Sequence, residues 1–173
     1  MNPTVELKIR DQGTVVLELE PNMAPNTVNN FLSLVQKGFY NGLTFHRIIA
    51  GFMIQGGCPD GNGMGGPGYR IKGEFRNNNF KKNTISHRKG VISMARAYDK
   101  NSAGSQFFIM HEDGTFLDGE YAAFGHVVSG QDVVDAVATI PTWPNDMPMA
   151  PMVMESVKVL DMGDWTFAEP EKM

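Results

Sequence analysis

The residues able to do chemistry are few and scattered. The four histidines, His46, His87, His111 and His126, lie far apart and show no H-x-x-x-H or comparable metal-binding spacing. The single cysteine, Cys58, excludes an internal disulfide and a multi-cysteine zinc site. It has no evident base beside it in sequence, and no G-x-S-x-G occurs, so nucleophilic catalysis has no support. Residues Gly56 to Gly68 include seven glycines, among which Gly61, Gly63 and Gly66 satisfy G-x-G-x-x-G. That pattern binds a dinucleotide only where it joins a strand to a helix N-terminus. Here Pro67 and Gly68 follow and no helical periodicity does, so the segment reads as a wide surface loop. Asp60 and Asn62 begin like a calcium loop, but Met64 and Ile71 stand where oxygen ligands are needed. Met147, Met149, Met152 and Met154 could suggest a thioether copper site; with no Cys or His nearby, flexible packing in a Pro-rich crossing is the better reading. No metal or cofactor is expected.

The elements that must position any site are clearer. Val5, Leu7 and Ile9 alternate with polar residues, as do Val15, Leu17 and Leu19 after the turn Asp11-Gln12-Gly13, which predicts a β-hairpin with one buried face. Pro25 suits a first helical position; Val28, Phe31, Leu32 and Val35 form one apolar stripe, and Lys37-Gly38 closes the helix. A second helix is expected from Ser129, with Asp132 completing a capping box and Val133, Val134 and Val137 buried, ending before Pro141. Short apolar runs at 44–49, 52–55, 90–95, 105–110, 122–128 and 155–160 read as strands. Many short strands with two separated helices predict a mainly β fold: a closed eight-stranded antiparallel β-barrel capped by two α-helices.

The chain's 173 residues suffice for one domain, expected over residues 1–163, with 164–173 as a loose C-terminal tail. Hydrophobic residues at 42% and charged residues at 20% are ordinary globular usage and exclude disorder. A net charge of −4 argues against general nucleic-acid binding. No uninterrupted apolar run approaches membrane-spanning length and no secretory signal is evident, so a cytoplasmic protein without a membrane partner is expected, a monomer being the simplest expectation.

Three segments stand apart: Phe45-His46-Arg47-Ile48-Ile49-Ala50-Gly51-Phe52-Met53-Ile54-Gln55-Gly56-Gly57, Ile92-Ser93-Met94-Ala95-Arg96-Ala97, and Gly104-Ser105-Gln106-Phe107-Phe108-Ile109. With Phe116-Leu117-Asp118-Gly119 and Phe124-Gly125, they resemble the cyclophilins, peptidyl-prolyl cis-trans isomerases, in order over roughly residues 4 to 163. The resemblance implies that Arg47 is the catalytic arginine and that Phe52, Met53, Phe108 and Leu117 wall a proline pocket. It implies polar contacts from Gln55 and Gln106, and pairing of an extended peptide with the backbone at Ala95 and Arg96. Phe116, Tyr121 and Arg96 depart from common members, which have tryptophan, histidine and asparagine there. Phe116 implies weaker cyclosporin affinity, and Tyr121 keeps a flat aromatic wall; the combination is similar to bacterial members. The implied partners are proline-containing peptides and unfolded proteins.

Taken singly, Phe52, Phe108 and Leu117 would be core residues, and Arg47 a solvent-facing strand charge. Only their joint pattern argues for a site. The residues alone also admit a non-catalytic proline-binding module or chaperone; retention of Arg47 beside the apolar set favours the enzyme.

Overall fold

Val5, Leu7 and Ile9 on β1 (Thr4–Ile9) and Val15, Leu17 and Leu19 on β2 (Gly13–Leu19) are all fully buried, so the period-2 pattern does set one inward face. The computed structural model describes residues 1–173. After the hairpin come α1 (Pro25–Gln36), β3 (Phe45–Ile49), β4 (Met53–Gly56), β5 (Val91–Met94), β6 (Phe107–Met110), β7 (Ala123–Ser129), α2 (Gln131–Ala138) and β8 (Met154–Asp161). Every ladder is antiparallel, and the eight strands run in the order β3-β4-β6-β5-β7-β2-β1-β8.

The expected closed barrel is not fully closed. The sheet curls until its edge strands meet, but the seam between them is one isolated bridge, Thr44 to Val153. Flanking bonds run from Phe45 N–H to Met152 O (2.9 Å) and from Met154 N–H to Leu43 O (2.7 Å). No ladder forms beyond it, because farther along β3 the Ile48 N–H is taken by Asp146 O at 2.8 Å, in the Pro-rich crossing. The fold is a curled half-barrel stitched at one point.

Strands β5 and β6 have all four residues buried, because both their faces are covered. Ile92, Met94, Phe107 and Ile109 join the interior core with the stripes of both helices, where Phe31 packs against Tyr40, Phe107 and Phe124. Val91, Phe108 and Met110 instead join Met53, Leu117 and Ala123 in a second apolar cluster on the outside of the sheet. Phe52, Ile85 and Tyr121 pack against this smaller cluster, as loops commonly cover a satellite of the main core.

Helix α1 is buried well beyond its predicted stripe, at Thr27, Asn29, Asn30 and Ser33 as well. Its N-cap is Ala24, which caps nothing; Glu74, from a distant loop, accepts bonds from the Thr27 N–H (2.7 Å), the Thr27 hydroxyl (2.7 Å) and the Asn26 N–H (3.3 Å). A carboxylate there satisfies orphan donors and complements the helix dipole. The C-terminal residues, expected to be loose, strap the other side. Trp165 Nε1 donates to Asn29 Oδ1 (2.9 Å), Glu171 N–H to Asn26 Oδ1 (2.8 Å), and Pro170 is buried.

The capping box expected at Ser129 does not form, since Ser129 is still in β7 and Gly130 is the N-cap of α2. Gly130 has φ +91°, and a Cβ on it would sit 2.3 Å from Thr14 O, so both conformation and space demand glycine. Val133, Val134 and Val137 are buried as expected, and the helix ends at Ala138, before Pro141.

Candidate active site

Arg47 owes its direction to an irregularity. The β3–β4 register shifts between Phe45 and Arg47, so Phe45 and Ile48 both face the interior while Arg47 points outward opposite Gln55. A bulge re-aims a side chain in this way, and no sequence pattern announces it. The Arg47 guanidinium bonds to one side chain: its Nη1 donates to Gln55 Oε1 at 3.2 Å. Gln55 Nε2 in turn donates to Gln106 Oε1 (3.1 Å), and Gln106 Nε2 to Gly63 O (2.9 Å) and Gly65 O (3.0 Å). The cation is thereby aimed without being neutralised, with no carboxylate in its chain of contacts.

Beside it lies a cleft of about 160 Å³. Phe52, Met53, Phe108, Leu117 and Tyr121 supply its apolar wall, and Arg47, Gln55, Ala95 and Arg96 its rim. Phe108 and Met53 reach it from adjacent sheet strands, whereas Leu117 closes a 3-10 turn at Thr115–Leu117. Phe52 sits in the β3–β4 turn, its carbonyl fixed by the His111 N–H at 2.8 Å. Nine of the eleven residues singled out from the sequence therefore line one cleft. Of the other two, Gln106 lies in a neighbouring cleft of about 330 Å³, which shares Gln55, Ala95 and Arg96 with the first. Phe116 lines neither cleft and is 72% exposed, its ring 5.6 Å from that of Phe52.

The glycine-rich segment is not the plain surface loop expected. Gly63, Met64, Gly65, Gly66 and Pro67 form a wall of the larger cleft, and no helix follows them, so the dinucleotide reading stays excluded. The loop turns around buried Cys58, whose sulfur accepts the Gly65 N–H at 3.2 Å. Burial opposes ionisation of that thiol, but the converging N–H groups of Gly65, Asn62, Asp60 and Gly63 outweigh it and hold its pKa below the usual range.

Sequence reasoning missed the support beneath the cup. His87 is fully buried; Nδ1 lies 2.9 Å from Asp118 Oδ1 and Nε2 2.9 Å from Ser93 Oγ, and the ring stacks on Phe108 at 6.0 Å. Asp118 also accepts bonds from the Ser86 hydroxyl and the His87 backbone N–H, both at 2.6 Å. Burial pushes the His87 pKa below its ordinary 6.5 despite Asp118, so its ring is neutral, with Nδ1–H donating to the carboxylate. Burial works against the Asp118 charge, but the Ser86 and His87 bonds prevail and hold its pKa below 3.8. A Ser-His-Asp array is here a scaffold and not a nucleophile, because Ser93 and His87 are both sealed from solvent. Buried His46, whose Nδ1 has no partner, is also held below 6.5, first by burial and then by the Arg47 cation.

Residues 4–159 match the family model described as cyclophilin type peptidyl-prolyl cis-trans isomerase. The chain belongs to the cyclophilin family. A peptidyl-prolyl cis-trans isomerase of Synechococcus elongatus is 53% identical over 115 residues, 66% of this chain and 74% of that protein. Peptidyl-prolyl cis-trans isomerase B of Bacillus subtilis is 50% identical over 122 residues, 70% of this chain and 81% of that protein. A crystal structure of a Cryptosporidium parvum cyclophilin type isomerase superposes with a TM-score of 0.85 at 29% identity, covering 93% of this chain and 99% of that one; a second was determined in the presence of the dipeptide Ala-Pro. This cyclophilin is accordingly a peptidyl-prolyl cis-trans isomerase, and its curled sheet with two helices is the fold of those neighbours.

Proposed function

We propose that the 160 Å³ cleft receives the proline ring of a polypeptide and that Arg47 is the catalytic residue. The observation that carries this reading is the juxtaposition of an aimed guanidinium without a carboxylate partner and an apolar cup of ring size. The Ala-Pro dipeptide used with the Cryptosporidium relative agrees with it. An X-Pro amide resists rotation by ~18–20 kcal/mol because its nitrogen lone pair is delocalised into the carbonyl. Near 90° of twist that conjugation is lost, and the nitrogen becomes pyramidal and able to accept a hydrogen bond. A guanidinium aimed there favours the twisted amide far more than either planar one, and only such differential binding accelerates the reaction. Arginine suits the role because it stays charged and its fork can also hold a carbonyl.

One charge-assisted bond is worth ~1.5–3 kcal/mol, whereas a ~10⁶-fold acceleration needs about 8 kcal/mol. Clamping must contribute the rest. Phe52, Met53, Phe108 and Leu117 hold the ring, while Gln55, Gln106 and the backbone at Ala95 and Arg96 hold the residues before it. The two clefts share Gln55, Ala95 and Arg96, so an extended peptide can cross from the larger into the smaller. No proton moves and no covalent bond forms.

The clients are flexible or unfolded polypeptides, whose slow X-Pro steps it speeds. We read it as a cytoplasmic monomer with reduced cyclosporin affinity, Phe116 being an exposed ring outside the cup. The test is NMR exchange spectroscopy of a short X-Pro peptide with the wild-type chain. Exchange cross-peaks and shift changes confined to the two clefts are expected; perturbations elsewhere on the surface overturn the assignment.

A further inference from the structure

Arg96 is the one charged residue besides Arg47 on the rim of the cup, yet its side chain has almost nothing left to offer a ligand. Its Nε and Nη2 both donate to Glu120 O (3.1 and 2.9 Å), and its Nη1 donates to Ala97 O and Tyr98 O (3.1 Å each). The Glu120 carboxylate lies 3.9 Å from Nη2, and the side chain is only 12% exposed. Its Cζ lies over two rings, 5.1 Å from the centre of Phe75 and 4.8 Å from that of Tyr121. Tyr121 then stands edge-on to Phe108, ring centres 5.8 Å apart at 84°. One side chain thus ties the end of β5, the 97–98 backbone and the Glu120–Tyr121 turn into a single wall. Neither lysine, a point charge, nor asparagine, too short, can bond three carbonyls while covering two rings.

We infer that Arg96 is a positioning residue: its guanidinium pins Tyr121 against Phe108 and thereby sets the width of the proline cup, governing peptide affinity and not the twisting step. This rests on the proposed assignment of that cup. Substrate then meets the Arg96 backbone but not its charge.

The experiment uses the full chain and one X-Pro peptide. Titration by NMR gives Kd, exchange spectroscopy gives kcat and KM, and thermal unfolding reports the fold. Arg96→Asn is expected to raise Kd and KM roughly 5–30-fold, because peptide binding must then re-order a Tyr121 wall that the stacked cation no longer holds, at a cost bounded by that cation's stacking, with kcat changed less than about twofold. Arg96→Lys keeps the charge and is expected to recover less than half of that loss; should Arg96→Asn fail to fold, it carries the comparison. Tyr121→Ala should weaken binding similarly, and the double variant Arg96→Asn/Tyr121→Ala no more than about twofold further, because the two act as a unit. A lowered melting temperature with unchanged Kd, full recovery by lysine, fully additive losses, or a fall confined to kcat overturns the inference. A wild type that binds the peptide without exchanging it sinks the catalytic reading instead, and the Kd series still decides this one.

Discussion

Replacing His87 with phenylalanine keeps a flat ring against Phe108 but removes both hydrogen bonds beneath the cup. Ser93 is fully buried, and its hydroxyl loses the His87 nitrogen, at ~1–3 kcal/mol for an unpaired buried group. Asp118 is 29% exposed and keeps its bonds to Ser86 and to the residue-87 backbone, so its loss is nearer ~1 kcal/mol. Together these give about 2–4 kcal/mol, or roughly 4–16 °C in melting temperature for a chain of this size. The pH dependence is more discriminating. The folded-state pKa of His87 lies below 6.5, so on acidification through 6.5 the unfolded chain takes up a proton that the native protein refuses. That costs the wild type up to ~1.4 kcal/mol per pH unit, until the folded pKa is reached. His46 shifts in the same direction, but it is present in both proteins and cancels in the difference. Urea unfolding of both at pH 7.5, 6.5 and 5.5 should therefore show their stability gap shrinking as pH falls. A constant gap means the fold does not lower the His87 pKa; a gap that widens on acidification means His87 is charged in the fold and ion-paired with Asp118.

Three further outcomes are expected. Glu74→Ala strips two N–H groups and a hydroxyl at the start of α1 of their acceptor and should destabilise by about 3–5 kcal/mol in denaturant unfolding, against about 1–2 for Glu74→Gln; less than 1 for alanine discounts the cap in trans. Gln55→Leu removes both the proposed substrate contact, read in KM, and the one side-chain partner of the exposed Arg47 guanidinium, read in kcat, which should fall about fivefold by exchange; an unchanged kcat means Gln55 does not aim it. Phe116→Trp should tighten cyclosporin inhibition, and equal inhibition before and after removes the role given to that ring.

Regular patterns were legible in the sequence, and tertiary irregularities were not. The alternation at Val5–Ile9 and Val15–Leu19 and the stripe Val28, Phe31, Leu32, Val35 reported faces buried by period, and those faces are buried. Phe108 and Met53 were singled out only through the resemblance, because a residue on an outer apolar cluster reads like any core residue. The direction of Arg47 depends on a bulge, which inserts a residue without altering composition. Glu74, Asn29 with Trp165, and His87 with Asp118 are partners 31 or more positions apart, beyond any local spacing rule. The staple at Arg96 was hidden in the same way, since its acceptors are backbone carbonyls of whatever residues happen to stand there.

On the proposed mechanism Arg47 acts on the twisted amide and hardly at all on the planar one. Arg47→Ala separates the two when exchange and titration are run on one peptide in the same buffer. Losing a charge-assisted bond made only in the transition state should lower kcat/KM by at least ~10–150-fold, with Kd for the ground-state peptide within about threefold of wild type. Equal weakening of Kd and kcat/KM would make Arg47 a binding group, and exchange that continues undiminished would strip it of any catalytic role.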